Sequence, residues 1–212
     1  MPFLYIITGS NGAGKSSIGP EYLPESLQKC VFDGDKLLLQ KRKEFWKSGI
    51  KSPKECNKLA SEIVQDTFDT LIKASLDKQQ DFAYEGHFTN DSTWEIPKKF
   101  KNSGYTIILI FFGLVDTELS QLRVATRTQE GGHYVDFATL QSNFYGNLEK
   151  LDIYYEMFDL INIYDTSSEH FELARLEKGI PVFSIDKNEL PLWFTTYLKK
   201  ITHKIIATRA KE

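Results

Sequence analysis

Short, unbroken runs of apolar residues alternate along this chain with longer amphipathic stretches. Each run has the length of a buried strand, and such continuous runs are typical of parallel strands that are covered on both faces. The predicted strands are residues 3–7, 30–32, 82–84, 107–112 and 160–164. The stretches between them have helical spacing, and the predicted helices are residues 16–22, 35–47, 53–76, 94–101 and 117–128.

The pattern changes toward the end of the chain. A further helix is predicted over residues 136–155, and a hairpin follows in which residues 171–176 and 180–183 flank the turn Glu177-Lys178-Gly179. An amphipathic helix is predicted over residues 190–207. Because strands that alternate with helices form right-handed βαβ units, the earlier part of the chain predicts an α/β fold with a parallel sheet.

The residues that follow the first predicted strand form a glycine-rich motif. Gly9 to Ser16 read G-x-x-x-x-G-K-S, the pattern of a phosphate-binding P-loop. The glycines let the backbone fold around a phosphate, Lys15 would reach the β- and γ-phosphates, and the Ser16 hydroxyl would ligate Mg²⁺. The alternative is a chance match in a glycine-containing turn, and the position between a strand and a helix argues against it. The predicted nucleotide-binding residues are Gly9, Ser10, Asn11, Gly12, Ala13, Gly14, Lys15, Ser16 and Ser17.

The P-loop makes the fold prediction more specific. Its place after the first strand predicts the three-layer α/β/α sandwich of a P-loop NTPase, with a mainly parallel sheet and the active site at the carboxyl ends of the strands. The length suits a single domain over residues 1–212. Within it, residues 117–150 would form a helical lid.

Composition narrows the possible partners. The net charge of −3 gives no bulk electrostatic reason to expect binding to nucleic acid or to a membrane. No apolar run is long enough to span a bilayer, and the first residues lack the pattern of a signal peptide, so we expect a cytoplasmic protein. Cys30 and Cys56 have no metal-type spacing and are expected to be free, buried thiols.

Carboxylates follow two of the predicted strands at the edge where the P-loop lies. Asp33 and Asp35 come after the second strand, where a kinase places a base or a ligand of Mg²⁺-bound water, but either could instead cap the next helix. Glu85 ends the third strand and could bind substrate hydroxyls, or be an exposed strand-end acid. His87 could contact the same substrate, although a lone histidine is more often a structural residue.

Two arginines precede a glycine pair in the next helical region. Arg123 and Arg127 lie one helical turn apart, and Gly131 and Gly132 follow. This order suits an arginine-bearing lid that closes over a γ-phosphate, with the glycines as a flexible joint. The spacing alone favours a simpler interpretation, a solvated basic face that ends in a glycine cap.

Together, these segments resemble the zeta-toxin-like P-loop kinases, the family that includes UDP-N-acetylglucosamine kinase toxins. The resemblance runs from about residue 3 to about residue 183, and its most specific part is Gly131-Gly132-His133. Besides the P-loop, the similar segments are Phe32-Asp33-Gly34-Asp35-Lys36-Leu37, Phe82-Ala83-Tyr84-Glu85, the stretch from Arg123 to Val135, and Tyr164-Asp165-Thr166-Ser167.

The resemblance implies a phosphotransferase. It implies ATP or GTP as the donor, Mg²⁺ as the metal, and the hydroxyl of a small molecule as the acceptor, for example a nucleotide sugar such as UDP-N-acetylglucosamine. It also implies an antitoxin protein as a partner if the chain is a toxin. The predicted catalytic residues are Lys15, Asp35, Arg123 and Arg127; Glu85 and His87 are predicted to bind the substrate, and Ser16 to bind Mg²⁺.

The chain departs from the family pattern at three places. Asp136 replaces a proline, Gly86-His87 replaces two threonines, and residues 140–144 lack an arginine that the family carries on its lid. A missing lid arginine would remove part of the charge stabilisation of the transition state. Two alternatives therefore stay open: a nucleotide-binding regulatory protein with a degenerate kinase site, and a plain NTPase.

Overall fold

A seven-stranded, mainly parallel sheet forms the centre of the protein. The computed structural model describes residues 1–132 and 134–210. Its strands are β1 Phe3–Gly9, β2 Phe32–Asp33, β3 Phe82–Glu85, β4 Thr106–Gly113, β5 Leu160–Asp165, β6 Phe171–Glu177 and β7 Ile180–Ser184. Their order is β2-β3-β1-β4-β5-β6-β7. The first five strands are parallel, while β6 and β7 pair antiparallel.

Helices connect the strands and flank the sheet. Within the described residues they are α1 Lys15–Ile18, α2 Glu25–Gln28, α3 Gly34–Lys47, α4 Pro53–Lys78, α5 Glu95–Asn102, α6 Thr117–Gln129, α7 Phe137–Tyr154, α8 Leu192–Tyr197 and α9 Lys199–Arg209. Short 3₁₀ helices cover Gly19–Tyr22, Asp91–Trp94 and Tyr155–Met157. The predicted α/β/α fold with a mainly parallel sheet is confirmed. None of the described helices is long and apolar enough to cross a membrane.

Two predicted elements near the P-loop are shorter than the pattern suggested. The helix predicted over 16–22 stops at Ile18 and continues as a 3₁₀ turn, because Pro20 has no N–H for an α-helical hydrogen bond. The second strand begins at Phe32 rather than at Cys30. The Cys30 N–H is already used, since it donates to the Leu27 carbonyl at 2.9 Å.

The single helix predicted over residues 190–207 is wrong, because the structure divides this stretch into α8 and α9. The break lies at Leu198, which is fully buried and has φ −103° and ψ 57°. The carboxylate of Asp152 caps the new helix start, accepting from the Lys200 N–H at 2.9 Å and the Ile201 N–H at 3.1 Å. The predicted hairpin is confirmed, with a turn in which Lys178 and Gly179 both have positive φ.

The sheet order explains where a ligand would bind. Strand β1 lies between β3 and β4, so the chain fills one side of β1 before it crosses to the other. The carboxyl end of β1 is therefore the switch point of the sheet, the place where open α/β proteins bind ligands. The core beneath it is rigid, because Leu4, Ile6 and Leu109 of β1 and β4 are fully buried.

Candidate functional site

The P-loop between β1 and α1 is a tight turn that depends on glycine. Gly9, Gly12 and Gly14 have φ values of 136°, 75° and 86°, a region that other residues rarely adopt. At Gly9, a Cβ atom would lie 2.1 Å from the carbonyl oxygen of Phe112. The close approach of β1 to β4 at this point therefore requires glycine.

Side chains from α6 and from the end of β5 hold the outer side of the loop. The Ser120 hydroxyl donates to the Asn11 carbonyl at 2.6 Å, and the Thr166 hydroxyl donates to the Ala13 carbonyl at 3.0 Å. Both side chains are buried. These contacts fix the carbonyl groups of Asn11 and Ala13, and with them the path of the loop.

Lys15 is buried at the start of α1 and is held against the loop. Its ammonium donates to the carbonyls of Gly9 at 3.1 Å and Ser10 at 2.9 Å, and its Nζ lies 3.9 Å from Oε1 of Glu85. Burial lowers the pKa of Lys15, while the nearby carboxylates of Glu85 and Asp35 oppose that shift. The side chain is a positive charge set at the mouth of the loop.

Glu85 reaches the P-loop serine from the end of β3. The Ser16 hydroxyl donates to Oε2 of Glu85 at 2.7 Å. Burial raises the pKa of Glu85, and the charge of Lys15 and this hydrogen bond act in the opposite direction. The sequence suggested that Glu85 faces the acceptor, whereas the structure also places it beside the hydroxyl that was predicted to bind Mg²⁺.

The two aspartates after β2 have different roles. Asp33 is the N-cap of α3, and its carboxylate accepts from the Lys36 N–H at 2.9 Å. Asp35 lies in the first turn of α3, is exposed, and makes no hydrogen bond within the described residues. The capping alternative therefore applies to Asp33, and Asp35 is available for chemistry.

Two adjoining cavities meet around Lys15. The first, of about 540 Å³, lies between the P-loop and α6, and the second, of about 300 Å³, lies between the P-loop and the start of α3. Asp35 lines only the second cavity. The residues that line both are Lys15, Ser16, Glu85 and Arg127. The arrangement can place two ligands on either side of the same lysine.

Arg123 is fixed on the P-loop rather than solvated. Its guanidinium donates to the Gly12 carbonyl at 3.3 Å and to the Ser167 carbonyl at 3.0 Å. Asp165 positions Ser167, because its carboxylate accepts from the Ser167 N–H at 2.6 Å and from the Trp193 indole N–H at 2.7 Å. Arg123 thus joins the loop to the end of β5.

Arg127 lines both cavities and lies next to the glycine pair that ends α6. Gly131 has φ 89° and its N–H donates to the Thr128 carbonyl, while the Gly132 N–H donates to the Arg127 carbonyl at 2.9 Å. These two bonds form a Schellman cap. A Cβ at Gly132 would lie 2.6 Å from Cγ of Arg127. The glycines therefore act as a helix cap and let the chain pass close to the arginine. His133 lies outside the described residues.

His87 lies behind the P-loop and lines neither of the two cavities that meet at Lys15. Its Nδ1 lies 3.0 Å from the amide nitrogen of Asn147, and its Nε2 lies 3.5 Å from the amide nitrogen of Asn11. Burial, followed by the charge of Lys15, lowers the pKa of His87 well below its usual value. Asn143 and Asn147 were not predicted from the sequence. The pattern that could have identified them is a pair of polar residues, spaced by four, on an otherwise apolar helix face.

A third cavity, of about 520 Å³, continues from the second along α3. Leu39 lines both cavities, and Trp46 and Tyr134 supply aromatic walls. Arg42, Lys43 and Lys47 also line it and form no ion pair within the described residues. The wall also includes Cys56, a free and buried thiol as predicted, whereas Cys30 is free but exposed.

The residues fit a magnesium nucleotide. No group of three or more His, Cys, Asp or Glu side chains that could hold a metal occurs in the described part of the chain. Mg²⁺ in phosphate-transfer sites is commonly held by one or two protein oxygens and the phosphates themselves. Ser16 with Glu85 supplies such a pair of oxygens.

The fold and the P-loop define a P-loop protein of the α/β class. The sequence model of the Zeta toxin family matches residues 1–172, and the chain therefore belongs to that family. The predicted family is confirmed. No curated protein matches the chain.

Solved structures show the same fold at low sequence identity. A chain of the AvrRxo1-ORF1:AvrRxo1-ORF2 complex with sulphate ions superposes with a TM-score of 0.73 at 16% identity, over 93% of this chain and 64% of that chain. The same complex with ATP gives 0.72 at 17% identity over the same shares. The PezAT toxin–antitoxin system of Streptococcus pneumoniae gives 0.57 at 20% identity, over 95% and 78%. This protein thus spans less than two thirds of the AvrRxo1 chain.

Proposed function

We propose that this protein transfers the γ-phosphoryl group of ATP or GTP to a hydroxyl of a small-molecule acceptor. The observation that carries the proposal is the pair of cavities that meet at Lys15, one walled by the P-loop and the other containing Asp35. A phosphoryl transfer needs its donor and acceptor on opposite sides of the transferred group. Membership of the Zeta toxin family supports the same reaction class.

On the donor side, the P-loop backbone binds the phosphates and Lys15 neutralises the β- and γ-phosphates. Ser16 and Glu85 would hold Mg²⁺, which supplies further neutralisation of phosphate charge when it is bound. Burial raises the pKa of Glu85, and the nearby Lys15 ammonium opposes that shift. A complex of similar fold, AvrRxo1-ORF1:-ORF2, was solved with ATP, which supports a nucleotide as the donor.

On the acceptor side, Asp35 accepts the proton of the attacking hydroxyl. Arg127 neutralises charge on the transferred group, because it lines both cavities. Arg123 binds carbonyl groups of the loop and the β5 end, so we assign it to holding the loop rather than to the reacting phosphoryl group. This revises the sequence-based assignment of Arg123 as a catalytic residue.

The third cavity supports the proposal of an acceptor that is anionic and has a flat part. Arg42, Lys43 and Lys47 supply positive charge, and Trp46 supplies a surface on which a ring can stack. A nucleotide sugar such as UDP-N-acetylglucosamine has both features. Its sugar hydroxyl would lie near Asp35, with the diphosphate and the base further along α3.

The Asp35→Asn variant tests the reaction directly. We expect phosphoryl transfer to fall by about 10² to 10⁴, because the amide cannot accept the proton, while ATP binding is unchanged. Wild type and variant are incubated with γ-labelled ATP and a metabolite extract, and ATP affinity is measured by calorimetry. The comparison variant is Asp33→Asn, which removes a charge from the capping residue in the same cavity and so separates loss of the base from loss of local negative charge. Full turnover by Asp35→Asn would remove the base from the mechanism.

A regulatory nucleotide-binding role is the second candidate. It is favoured by α7, where residues 140–144 lack the family arginine and Asn143 contacts the P-loop instead. Tight ATP binding without transfer to any acceptor would support this role, and rapid hydrolysis without an acceptor would indicate a plain NTPase.

The PezAT neighbour, described as a toxin–antitoxin system, supports an antitoxin partner for a cytoplasmic toxin.

A further inference from the structure

Two asparagines one turn apart on α7 interrupt its apolar face. Asn143 and Asn147 lie between Leu140, Phe144 and Leu148, which are all buried. A polar side chain on such a face is costly unless its hydrogen bonds are satisfied. Both asparagines therefore need partners, and the partners belong to the P-loop and its surroundings.

Asn147 links three segments at once. Its Oδ1 accepts from the Thr8 hydroxyl at 3.1 Å and from the Phe88 N–H at 2.7 Å. Its Nδ2 donates to the Asn143 carbonyl at 2.6 Å and lies 3.4 Å from the Gly9 carbonyl. The side chain is 2% exposed. The end of β1, the segment after β3 and the helix α7 are thus joined at one amide.

The same amide contacts His87. Since Oδ1 of Asn147 is occupied by two donors, its Nδ2 faces Nδ1 of His87 at 3.0 Å, while Nδ2 of Asn11 lies 3.5 Å from Nε2 of the same ring. A doubly protonated imidazole would set an N–H group against each of these amides, in agreement with the pKa of His87, which burial and the charge of Lys15 lower well below its usual value.

Asn143 completes the link to the nucleotide motif. Its Nδ2 donates to Oδ1 of Asn11 at 2.9 Å, while the Asn11 carbonyl accepts from Ser120 of α6. Asn11 is 4% exposed and is thus held from two helices. A change in the position of α7 must break this bond or move the loop.

We propose that Asn143 and Asn147 are positioning residues through which the lid helix α7 holds the P-loop in its nucleotide-binding arrangement. The inference rests on the proposed binding of a nucleotide at this loop. The family pattern has a lid arginine in the region of residues 140–144. In that region, α7 of this protein uses Asn143 to contact Asn11 of the P-loop. Nucleotide affinity and the position of α7 are therefore coupled.

Calorimetric titration of the full chain with ATP and Mg²⁺ tests the proposal. We expect Asn143→Ala to weaken ATP binding about five- to tenfold, since one hydrogen bond that orders the loop is lost. Asn143→Asp should weaken ATP binding at least as much, because the new carboxylate would face Oδ1 of Asn11 and both groups are hydrogen-bond acceptors. Ser142→Ala, an exposed neighbour on the same helix, should bind ATP like the wild type.

A double-mutant cycle separates positioning from general destabilisation. If Asn143 acts through Asn11, then Asn11→Ala with Asn143→Ala should bind ATP no more weakly than the weaker single variant. Thermal unfolding of each variant shows whether a weaker ATP affinity reflects a loss of folded protein. ATP affinity of Asn143→Ala equal to wild type, or fully additive losses in the cycle, would overturn the inference. A wild-type chain that does not bind ATP would instead overturn the proposed function, and the inference with it.

Discussion

The two sides of the site are built in different ways. On the proposed donor side, a backbone loop is fixed by buried side chains such as Ser120 and Thr166. On the proposed acceptor side, long side chains of α3 form much of the wall, and Arg42 and Lys43 form no ion pair within the described residues. A fixed loop suits phosphates that all nucleotides share. A wall of adjustable side chains suits the part of the reaction that differs between relatives.

The largest effect is expected at the donor side, from Gly9→Ala. The added Cβ would lie 2.1 Å from the Phe112 carbonyl oxygen, so β1 and β4 would have to separate. We expect a loss of more than about 3 kcal/mol in the free energy of unfolding, with loss of ATP binding. Urea denaturation measures the first quantity and calorimetry the second.

Gly49→Ala is the matched control for this prediction. Gly49 also has a positive φ, of 110°, but a Cβ there would meet nothing within 4 Å. It should cost about 1 to 2 kcal/mol from backbone strain alone and leave ATP binding intact. Equal losses in the two variants would show that the close approach at Gly9 is unimportant.

A smaller effect is expected on the acceptor side from the double variant Arg42→Ala with Lys43→Ala. Loss of two cations should weaken binding of UDP-N-acetylglucosamine, the probe used, about tenfold at low salt, and less at high salt because the interaction is screened. ATP affinity should not change. Lys41→Ala is the control, since Lys41 pairs with Glu44 and does not line the cavity. A parallel loss of ATP affinity would contradict the division into two sides.

The smallest effect is a change in the pH dependence of stability. The folded state keeps His87 neutral because burial lowers its pKa well below 6.5, whereas the unfolded chain takes up the proton. Its contribution to stability is therefore present above pH 6.5 and is lost as the pH falls. Between pH 7 and pH 6, His87→Gln should lose less unfolding free energy than wild type, by up to about 0.7 kcal/mol. His203→Gln, at an exposed histidine of α9, serves as the matched control.

The fold was predictable because its signals are local. Continuous apolar runs such as residues 107–112 predict buried strands, and a G-x-x-x-x-G-K-S sequence after the first of them places the P-loop. The break at Leu198 was not predictable, because its cause is the distant carboxylate of Asp152. Boundaries that depend on long-range capping leave no mark in the local pattern.

The candidate site was predictable in its motifs but not in how its residues divide the work. Spacing could not distinguish Asp33 from Asp35, since only the hydrogen bond to Lys36 shows which one caps α3. Nor could it show that Arg123 binds carbonyl groups while Arg127 lines both cavities. These distinctions arise from tertiary contacts between segments that are far apart in sequence.

The three tryptophans give the protein built-in optical labels. Trp46 is 45% exposed on the wall of the third cavity, whereas Trp94 and Trp193 are 1% and 2% exposed. A water-soluble quencher such as iodide therefore reaches the emission of Trp46 before that of the other two. A ligand that occupies the α3 wall shields this indole from collisions, so occupancy of the acceptor side can be followed in solution without an added dye.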